Sequence, residues 1–194
     1  LAFAESRLDC WVLEAGMGGG WDATRLAESA VAGLTNVGTD HRAWLGSDRK
    51  AIAADKGAAL AAATAAVLGP QVEPAILPFL RAPGARPAPE FVSCRLLEHS
   101  TVEVAWDQHR VEVELPFVGA HQIGNLHLAL ALARAAEGQG WLRLEPDAVR
   151  RGVERARWPG RLTRHRIHRP DVLLVGAHTL EGVAALVDPR RRTG

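Results

Sequence analysis

The sequence predicts an α/β fold organised around a parallel sheet, and three stretches in its first half support this. Residues 10–16 and 32–38 are short, nearly apolar runs of the kind that is buried on both faces of a parallel sheet. Residues 47–60 open with helix-capping side chains and continue with alanine-rich helix formers. Strands followed by a helix in this way are typical of βα units.

The end of that helix has two interpretations. Propensity alone extends it through the following alanines to Gly69 and Pro70, which would stop it. Residues 65–68 equally fit a short buried strand, because a brief apolar run has the same composition in both settings.

From residue 91 onward, apolar side chains alternate with a period of two, which predicts antiparallel strands. The three predicted strands cover residues 91–97, 101–106 and 110–117. Residues 107–109 are the predicted hairpin turn between the second strand and the third. Six apolar side chains are expected to face one another across that hairpin: Val102, Val104 and Trp106 on one strand, and Val111, Val113 and Leu115 on the other.

Two helices and a change of domain come next along the chain. Residues 121–140 form a predicted amphipathic helix that ends at glycine, and residues 145–157 form a shorter one that starts near a proline. Residues 158–161 break this pattern sharply and are a predicted linker. The linker separates a first domain at 1–157 from the beginning of a second domain at 162–194, where two strands open a new βα unit.

Composition excludes several classes of function. The chain has 23 basic and 22 acidic side chains in 194 residues, a balance that argues against a nucleic-acid or membrane-surface binder. Cys10 and Cys94 have no CxxC partner, which argues against a zinc site or a disulfide framework. No apolar run reaches the ~20 residues that span a bilayer and no stretch has a signal-peptide pattern, so we expect a cytoplasmic monomer. The start at Leu1, inside a helix-like stretch, predicts an internal fragment of a longer protein.

Two polar residues lie just past the predicted strands, each close to glycine. Glu14 precedes four glycines within residues 16–20, and His41 follows Gly38. Ligands bind at the carboxyl ends of parallel strands, so a carboxylate and an imidazole that meet there would suit a divalent cation carrying a nucleotide phosphate. Taken singly, Glu14 also fits a helix-capping or solvent-facing acid, and His41 fits an ordinary loop histidine.

Five blocks of the sequence resemble one known family. In chain order they are LEAGMGGGWDAT, TNVGTDHRAWLGSDRKAIAADKGA, LPFVGAHQIGN, RWPGR and VGAHTLEG. Their order is similar to that of the folylpolyglutamate synthases and dihydrofolate synthases, ATP-dependent ligases related to the cell-wall Mur ligases. The resemblance implies a P-loop-type parallel sheet with flanking helices, as part of a Mur-ligase central domain, followed by the start of a Rossmann-like C-terminal domain. It also implies a strand at residues 65–68.

The resemblance implies which residues bind the metal and which take part in catalysis. Glu14 and His41 match two magnesium ligands of the family. Lys56 matches a lysine that is carbamylated, a modification that turns a cation into a carboxylate-like group near the metal. His178 matches a histidine near the γ-phosphate of ATP.

A second group implied by the resemblance holds the nucleotide. His121, Gln122 and Asn125 match the family motif H-Q-x-x-N, in which the asparagine contacts ATP. Arg161 matches a linker arginine that reaches the nucleotide phosphates, a task suited to the fixed fork of a guanidinium group.

The sequence departs from the family pattern at several positions. Gly20 stands where an arginine is usual, Arg25 stands where an asparagine is usual, and D-K-G-A replaces E-K-A-G. Val175 takes the place of an ATP-contacting aspartate, and Thr179 that of an asparagine. No G-x-x-G-K-[ST] phosphate loop occurs in the 194 residues, and in the family this loop precedes the helix with which the chain begins.

The resemblance implies an ATP- and Mg²⁺-dependent ligase that adds L-glutamate to dihydropteroate, to folylpolyglutamate, or to both, through an acyl phosphate. Its partners would be these small molecules, with no nucleic acid or membrane, and the isolated chain is expected to be inactive. Two alternatives stay open. One is a cell-wall Mur ligase with the same ATP chemistry. The other is a degenerate, non-catalytic homologue that binds a folate or a partner, which the departures at Gly20 and Val175 favour.

Overall fold

The computed structural model describes residues 5–6, 8–117 and 119–158, together with the backbone of two strands at 161–165 and 172–175. A parallel sheet of three strands lies at its centre, in the order β1 (Val31–Leu34), β2 (Ala65–Leu68) and β3 (Arg86–Pro87). A short helix α1 (Arg42–Leu45) and a longer helix α2 (Arg49–Ala62) connect β1 to β2. The predicted α/β class with a parallel sheet and flanking helices is confirmed.

Helices cover both faces of this sheet. Along β2 the side chains alternate, so that Ala66 and Leu68 join a core cluster with α2 while Val67 joins a second cluster on the opposite face. That second cluster contains buried leucines of helix α3 (Ala120–Gly138). The carboxyl ends of β1 and β2 therefore lie between two helical layers, where ligands bind in open α/β sheets.

Helix α2 ends at Ala62, so its extension to Gly69 on propensity alone was wrong and the strand at Ala65–Leu68 is confirmed. The Asp48 carboxylate caps the helix by accepting a hydrogen bond from the Ala51 amide at 2.9 Å. Beyond the helix, residues 65–68 pair with β1 on one side and β3 on the other, and Val67 becomes fully buried. Burial on both faces outweighs the helix preference of alanine, which amounts to only a few tenths of a kcal/mol per residue.

The antiparallel sheet agrees closely with its sequence pattern. Its strands are β4 (Ser93–Glu98), β5 (Thr101–Trp106) and β6 (His109–Glu114), and the register pairs Val102 with Val113 and Val104 with Val111. His109 already pairs with Trp106, so the connection is a two-residue turn rather than the three residues predicted. All four valines are buried in the larger core cluster.

Helix α3 and the shorter α4 (Pro146–Glu154) occupy the positions that periodicity predicted. Short 3₁₀ helices lie at Ala23–Ala27, Pro74–Phe79 and Ala88–Glu90. Among the described residues, no helix combines the length and apolarity that crossing a membrane requires.

The predicted strand at residues 10–16 was wrong: this segment is neither strand nor helix, and its side chains are exposed. Val12, for example, is 91% exposed despite its apolar neighbours. In the described part of the chain β1 is an edge strand that pairs only with β2. An extended run needs a partner for its backbone amides and carbonyls, and residues 10–16 have none in the sheet.

Two short strands lie beyond the predicted linker, β7 (Arg161–His165) and β8 (Val172–Val175), and they pair antiparallel. Their register places Arg161 opposite Val175. The two strands predicted here are confirmed, whereas the helix expected after them falls outside the described residues. The division into domains at 158–161 stays a prediction.

Gly57 is required by a close approach between two backbones. A Cβ atom on Gly57 would lie 1.6 Å from the carbonyl oxygen of Leu80, which follows the 3₁₀ turn at Pro74–Phe79. Leu80 and Ile52 are among the largest fully buried side chains, so this contact lies inside the core beside α2. It explains why D-K-G-A carries glycine where the E-K-A-G pattern has alanine.

We expect Gly57→Ala to lower the free energy of unfolding by about 2 kcal/mol or more, because the added methyl group must displace the Leu80 backbone. The measurement is equilibrium unfolding in urea. The matched control is Gly152→Ala on α4, where a Cβ would meet nothing within 4 Å. That variant should be neutral or more stable by up to ~1 kcal/mol, and equal effects of the two changes would contradict the close approach.

Candidate active site

Glu14 lies in the exposed segment that leads into residues 16–20, which we call the glycine segment. It does not end a strand, contrary to the sequence prediction, and its carboxylate is open to solvent. The glycine segment is nevertheless ordered by hydrogen bonds, because two carboxylates hold its backbone from opposite ends.

The first of these carboxylates is Asp22. Its Oδ2 accepts hydrogen bonds from the amides of Gly16 and Met17 at 2.9 and 3.1 Å. Its Oδ1 accepts from the amide and hydroxyl of Thr24 at 3.0 and 2.7 Å. The bonds from Thr24, then those from Met17 and Gly16, lower the pKa of Asp22 from its usual 3.8 to about 2.

The second carboxylate is Asp55 on helix α2. It accepts the amide of Gly19 at 2.9 Å and that of Gly20 at 3.4 Å. A Cβ atom on Gly18 would lie 2.0 Å from Asp55 Oδ2, and one on Gly19 would lie 3.0 Å from the carbonyl oxygen of Lys56. Only glycine therefore allows the segment to lie so close to the Asp55–Lys56 turn.

These contacts decide what the glycine segment can do. Four of its amides, those of residues 16, 17, 19 and 20, donate to carboxylates of this chain. Backbone amides cradle phosphates only where they are free to donate to them. The segment is therefore a structural element that seats the chain after Glu14 on the turn of Lys56, whose side chain is half-buried.

Gly20 and Arg25, two residues that depart from the family pattern, contact each other. The Arg25 guanidinium donates a hydrogen bond from Nη1 to the Gly20 carbonyl at 2.9 Å. A side chain at position 20 would start 2.8 Å from Asp55 Oδ1. The chain thus lacks an arginine at position 20, and the guanidinium of residue 25 contacts the backbone of that position.

His41 adopts a left-handed backbone conformation, with φ 60° and ψ 27°, at the start of helix α1. Its carbonyl accepts the amides of Trp44 and Leu45, both at 2.9 Å. Left-handed geometry is uncommon outside glycine, and histidine is one of the residues that tolerates it. The imidazole is exposed beyond the carboxyl end of β1.

The described residues contain no group of three or more histidine, cysteine or carboxylate side chains placed to hold a metal. Glu14 and His41 as a pair therefore stay a prediction. Both cysteines are free, and burial raises the pKa of the Cys94 thiol to about 12. Cys94 is consequently a protonated core residue at neutral pH.

The predicted nucleotide residues on α3 come together in its first turns. Asn125 donates from Nδ2 to Gln122 Oε1 at 3.1 Å. The His121 ring lies against Gly119, where a Cβ would be 2.7 Å from the ring carbon Cε1 and φ is +110°. Arg161 is the first residue of β7, and His178 lies outside the described residues.

Sequence reasoning missed Asp22 and Asp55. The spacing of Asp22 and Thr24 is a local signal, because aspartate commonly accepts the amide two residues on. Asp55 had no such signal, since its partners are 35 and 36 residues away along the chain.

Known proteins with similar sequences identify the family. No protein-family model matches the chain. A dihydrofolate synthase/folylpolyglutamate synthase from Mycobacterium tuberculosis is 37% identical over 203 residues, which cover 95% of this chain and 41% of that protein. The chain belongs to the dihydrofolate/folylpolyglutamate synthase family. It spans less than half the length of this relative.

Solved structures from the family share the fold. A Mycobacterium tuberculosis folylpolyglutamate synthase complexed with ADP has a TM-score of 0.78 and 32% identity, over 95% of this chain and 44% of that one. A folylpolyglutamate synthase complex with AMPPCP and folate has a TM-score of 0.79 and 26% identity, over 95% and 47%. The recognition of a family from its ordered sequence blocks is confirmed.

We expect Asp22→Asn to lower stability at pH 7, since the amide accepts hydrogen bonds less strongly than the carboxylate. The folded pKa of Asp22 is depressed, so its contribution is present above the usual pKa near 3.8 and is lost as pH falls toward about 2. The stability difference between the wild type and Asp22→Asn should therefore shrink between about pH 4 and pH 2.

Urea unfolding at a series of pH values gives this difference directly. Glu98→Gln, which neutralises an exposed carboxylate on β4, controls for the change in net charge. A difference that stays constant across the acid range would contradict the assigned hydrogen bonds.

Proposed function

We propose that the full polypeptide containing these residues is an ATP-dependent ligase that joins L-glutamate to dihydropteroate or to a folylpolyglutamate. The supporting observation is the seating of the glycine segment on the Asp55–Lys56 turn, at 2.9 Å from the Gly19 amide to Asp55. This contact joins the segment that carries Glu14 to the helix that carries Lys56. Relatives solved with ADP and with AMPPCP and folate support the choice of substrates.

In the proposed reaction, a carboxylate oxygen of the acceptor attacks the γ-phosphorus of ATP, and ADP leaves. The amine of glutamate then attacks the acyl phosphate, which releases phosphate and a proton and leaves an amide. Catalysis of such transfers consists largely of positioning and charge neutralisation.

Magnesium is the metal that we propose for Glu14 and His41, because these residues match the magnesium ligands of the family. Mg²⁺ in nucleotide sites takes one or two protein side chains and completes its shell with phosphate oxygens and water. Glu14 supplies a carboxylate and His41 an imidazole, and both are exposed and so accessible to a nucleotide-bound ion. The ion would neutralise charge on the transferred phosphoryl group.

Lys56 would act as its carbamate. The neutral amine forms an N–C bond to carbon dioxide and loses a proton, which gives an anionic group at the glycine segment. Half-burial of Lys56, whose backbone lies against Gly19, would shield this carbamate from hydrolysis.

The nucleotide would be held from two sides. Asn125 would contact ATP from the start of α3, with its amide oriented by Gln122 at 3.1 Å and with His121 beside it. We propose a linker at 158–161 and a second domain that begins at residue 162. Arg161 would approach the phosphates from the linker, and His178 would approach them from the second domain. Closure of that domain would bring glutamate to the acyl phosphate.

The rival interpretation as a non-catalytic homologue rests on Gly20 and Val175. The Arg25 guanidinium donates to the Gly20 carbonyl, which weakens the first of these arguments because a cationic group still contacts position 20. The identity to a folate-family synthase over 95% of the chain speaks against a cell-wall ligase.

Replacing Lys56 with alanine in the full polypeptide should reduce glutamate-ligase turnover strongly, with partial rescue by acetate or another small carboxylate. Lys50 provides a matched control, because it is the only other lysine in the sequence and lies on the same helix. Its ammonium lies over the Phe79 ring at 4.9 Å, away from the glycine segment. Lys50→Ala should therefore keep turnover.

Labelling the full polypeptide with ¹³C carbon dioxide gives a direct assay of the modification, because comparison with Lys56→Ala assigns the resonance of the Lys56 carbamate. The carbamate resonance should vanish in Lys56→Ala and persist in Lys50→Ala. Unchanged turnover and an unchanged resonance in Lys56→Ala would show that Lys56 is an ordinary solvated lysine with no catalytic role.

The 194 residues expressed alone should not hydrolyse ATP at a rate typical of ligases. They contain no G-x-x-G-K-[ST], and the amides of the glycine segment already donate to Asp22 and Asp55. Magnesium-dependent ATP turnover is the measurement, with the full polypeptide as positive control. A rate of about 1 s⁻¹ or more for the isolated chain would refute the site as assigned.

A further inference from the structure

Gln71 connects the parallel sheet to the start of helix α3. It lies three residues after Leu68, the last residue of β2, and its Nε2 donates a hydrogen bond to the carbonyl of His121 at 3.1 Å. In helical geometry this carbonyl is also directed toward the amide of Asn125, four residues on. One side chain from the sheet therefore fixes the turn that carries the predicted nucleotide contact.

Two glycines make room for this side chain. A Cβ atom on Gly124 would lie 2.0 Å from Gln71 Nε2, and one on Gly69 would lie 3.3 Å from Gln71 Oε1. A Cβ on Gly69 would also lie 2.9 Å from the Thr35 carbonyl, at the end of β1. The carboxamide thus fills a notch formed by α3 and by the carboxyl ends of β1 and β2.

The chemistry of the notch sets the orientation of the amide. Only the NH₂ end can face the His121 carbonyl, because two carbonyl oxygens at that distance repel. The other end, Oε1, is buried and accepts no hydrogen bond from the described residues. A buried acceptor without a donor destabilises the fold, so packing alone does not favour glutamine here over an apolar side chain of equal length.

We propose that Gln71 is a positioning residue for nucleotide binding: through the His121 carbonyl it holds the first turn of α3, and with it Asn125, at the carboxyl edge of the sheet. The inference rests on the proposed function for its nucleotide, but the contact itself can be tested without it.

The primary variant is Gln71→Met in the full polypeptide, which keeps the length of the side chain and removes both its donor and its unpaired acceptor. Loss of one hydrogen bond to the nucleotide-binding turn should raise KM for ATP by about fivefold. The kcat and the thermal midpoint should stay near wild type. Gln108→Met, in the exposed β5–β6 turn, is the matched control and should change none of these.

A second pair of variants separates positioning from packing. Gly124→Ala should lower the thermal midpoint, because the methyl group overlaps the Gln71 amide. The double variant Gln71→Ala/Gly124→Ala has room for that methyl group and should recover the thermal midpoint. Its KM for ATP should remain raised, since the donor to His121 is absent.

The outcomes are distinguishable. Recovery of both stability and KM in the double variant would overturn the proposal, as would an unchanged KM in Gln71→Met. If the wild-type polypeptide shows no ATP turnover, the proposed function fails. Amide hydrogen exchange then tests whether Gln71 holds the first turn of α3. Faster exchange at the amides of residues 121–125 in Gln71→Met supports the positioning role, and unchanged exchange overturns it.

Discussion

The hydrogen bond from the Gly19 amide to Asp55 is the constraint on which the candidate site depends. It joins the irregular chain after Glu14 to a helix whose own position is set by the parallel sheet. Together with the longer bond from the Gly20 amide, it seats the glycine segment on the turn of Lys56. The absence of side chains at positions 18–20 is the condition for that contact, so the glycines serve the packing of two backbones rather than the cradling of a phosphate.

The parts of the fold that the sequence predicted well are those with a local and repetitive signal. Period-two alternation was sufficient for β5 and β6 and for the pairing of Val102 with Val113, because hairpin partners are near in the chain. Residues 10–16 have an equally apolar composition, yet they form no strand, since pairing depends on what lies along the edge of β1. Residues 65–68 show the converse, in which pairing on both sides overrides an alanine-rich helix signal.

The same distinction applies to the site. Lys56 and Asn125 could be named from short motifs. Asp55 and Gln71 could not, because each acts on a backbone group at least 35 residues away. The glycines that lie against these side chains were an ambiguous signal in the sequence, since glycine occurs in turns, at helix ends and at close approaches alike. Recognising which of these applies requires the distances that the folded chain provides.

The two faces of the parallel sheet differ in how much core they protect. The cluster beside α3 extends into the antiparallel sheet and α4, whereas the cluster beside α2 is smaller. Regions with fewer buried apolar side chains open at lower free energy than the molecule as a whole. We therefore expect α2 and the residues packed on it to open at lower free energy than the antiparallel sheet. Lys56 lies on α2, so the carbamate proposed for this lysine would form in the part of the core that opens most readily.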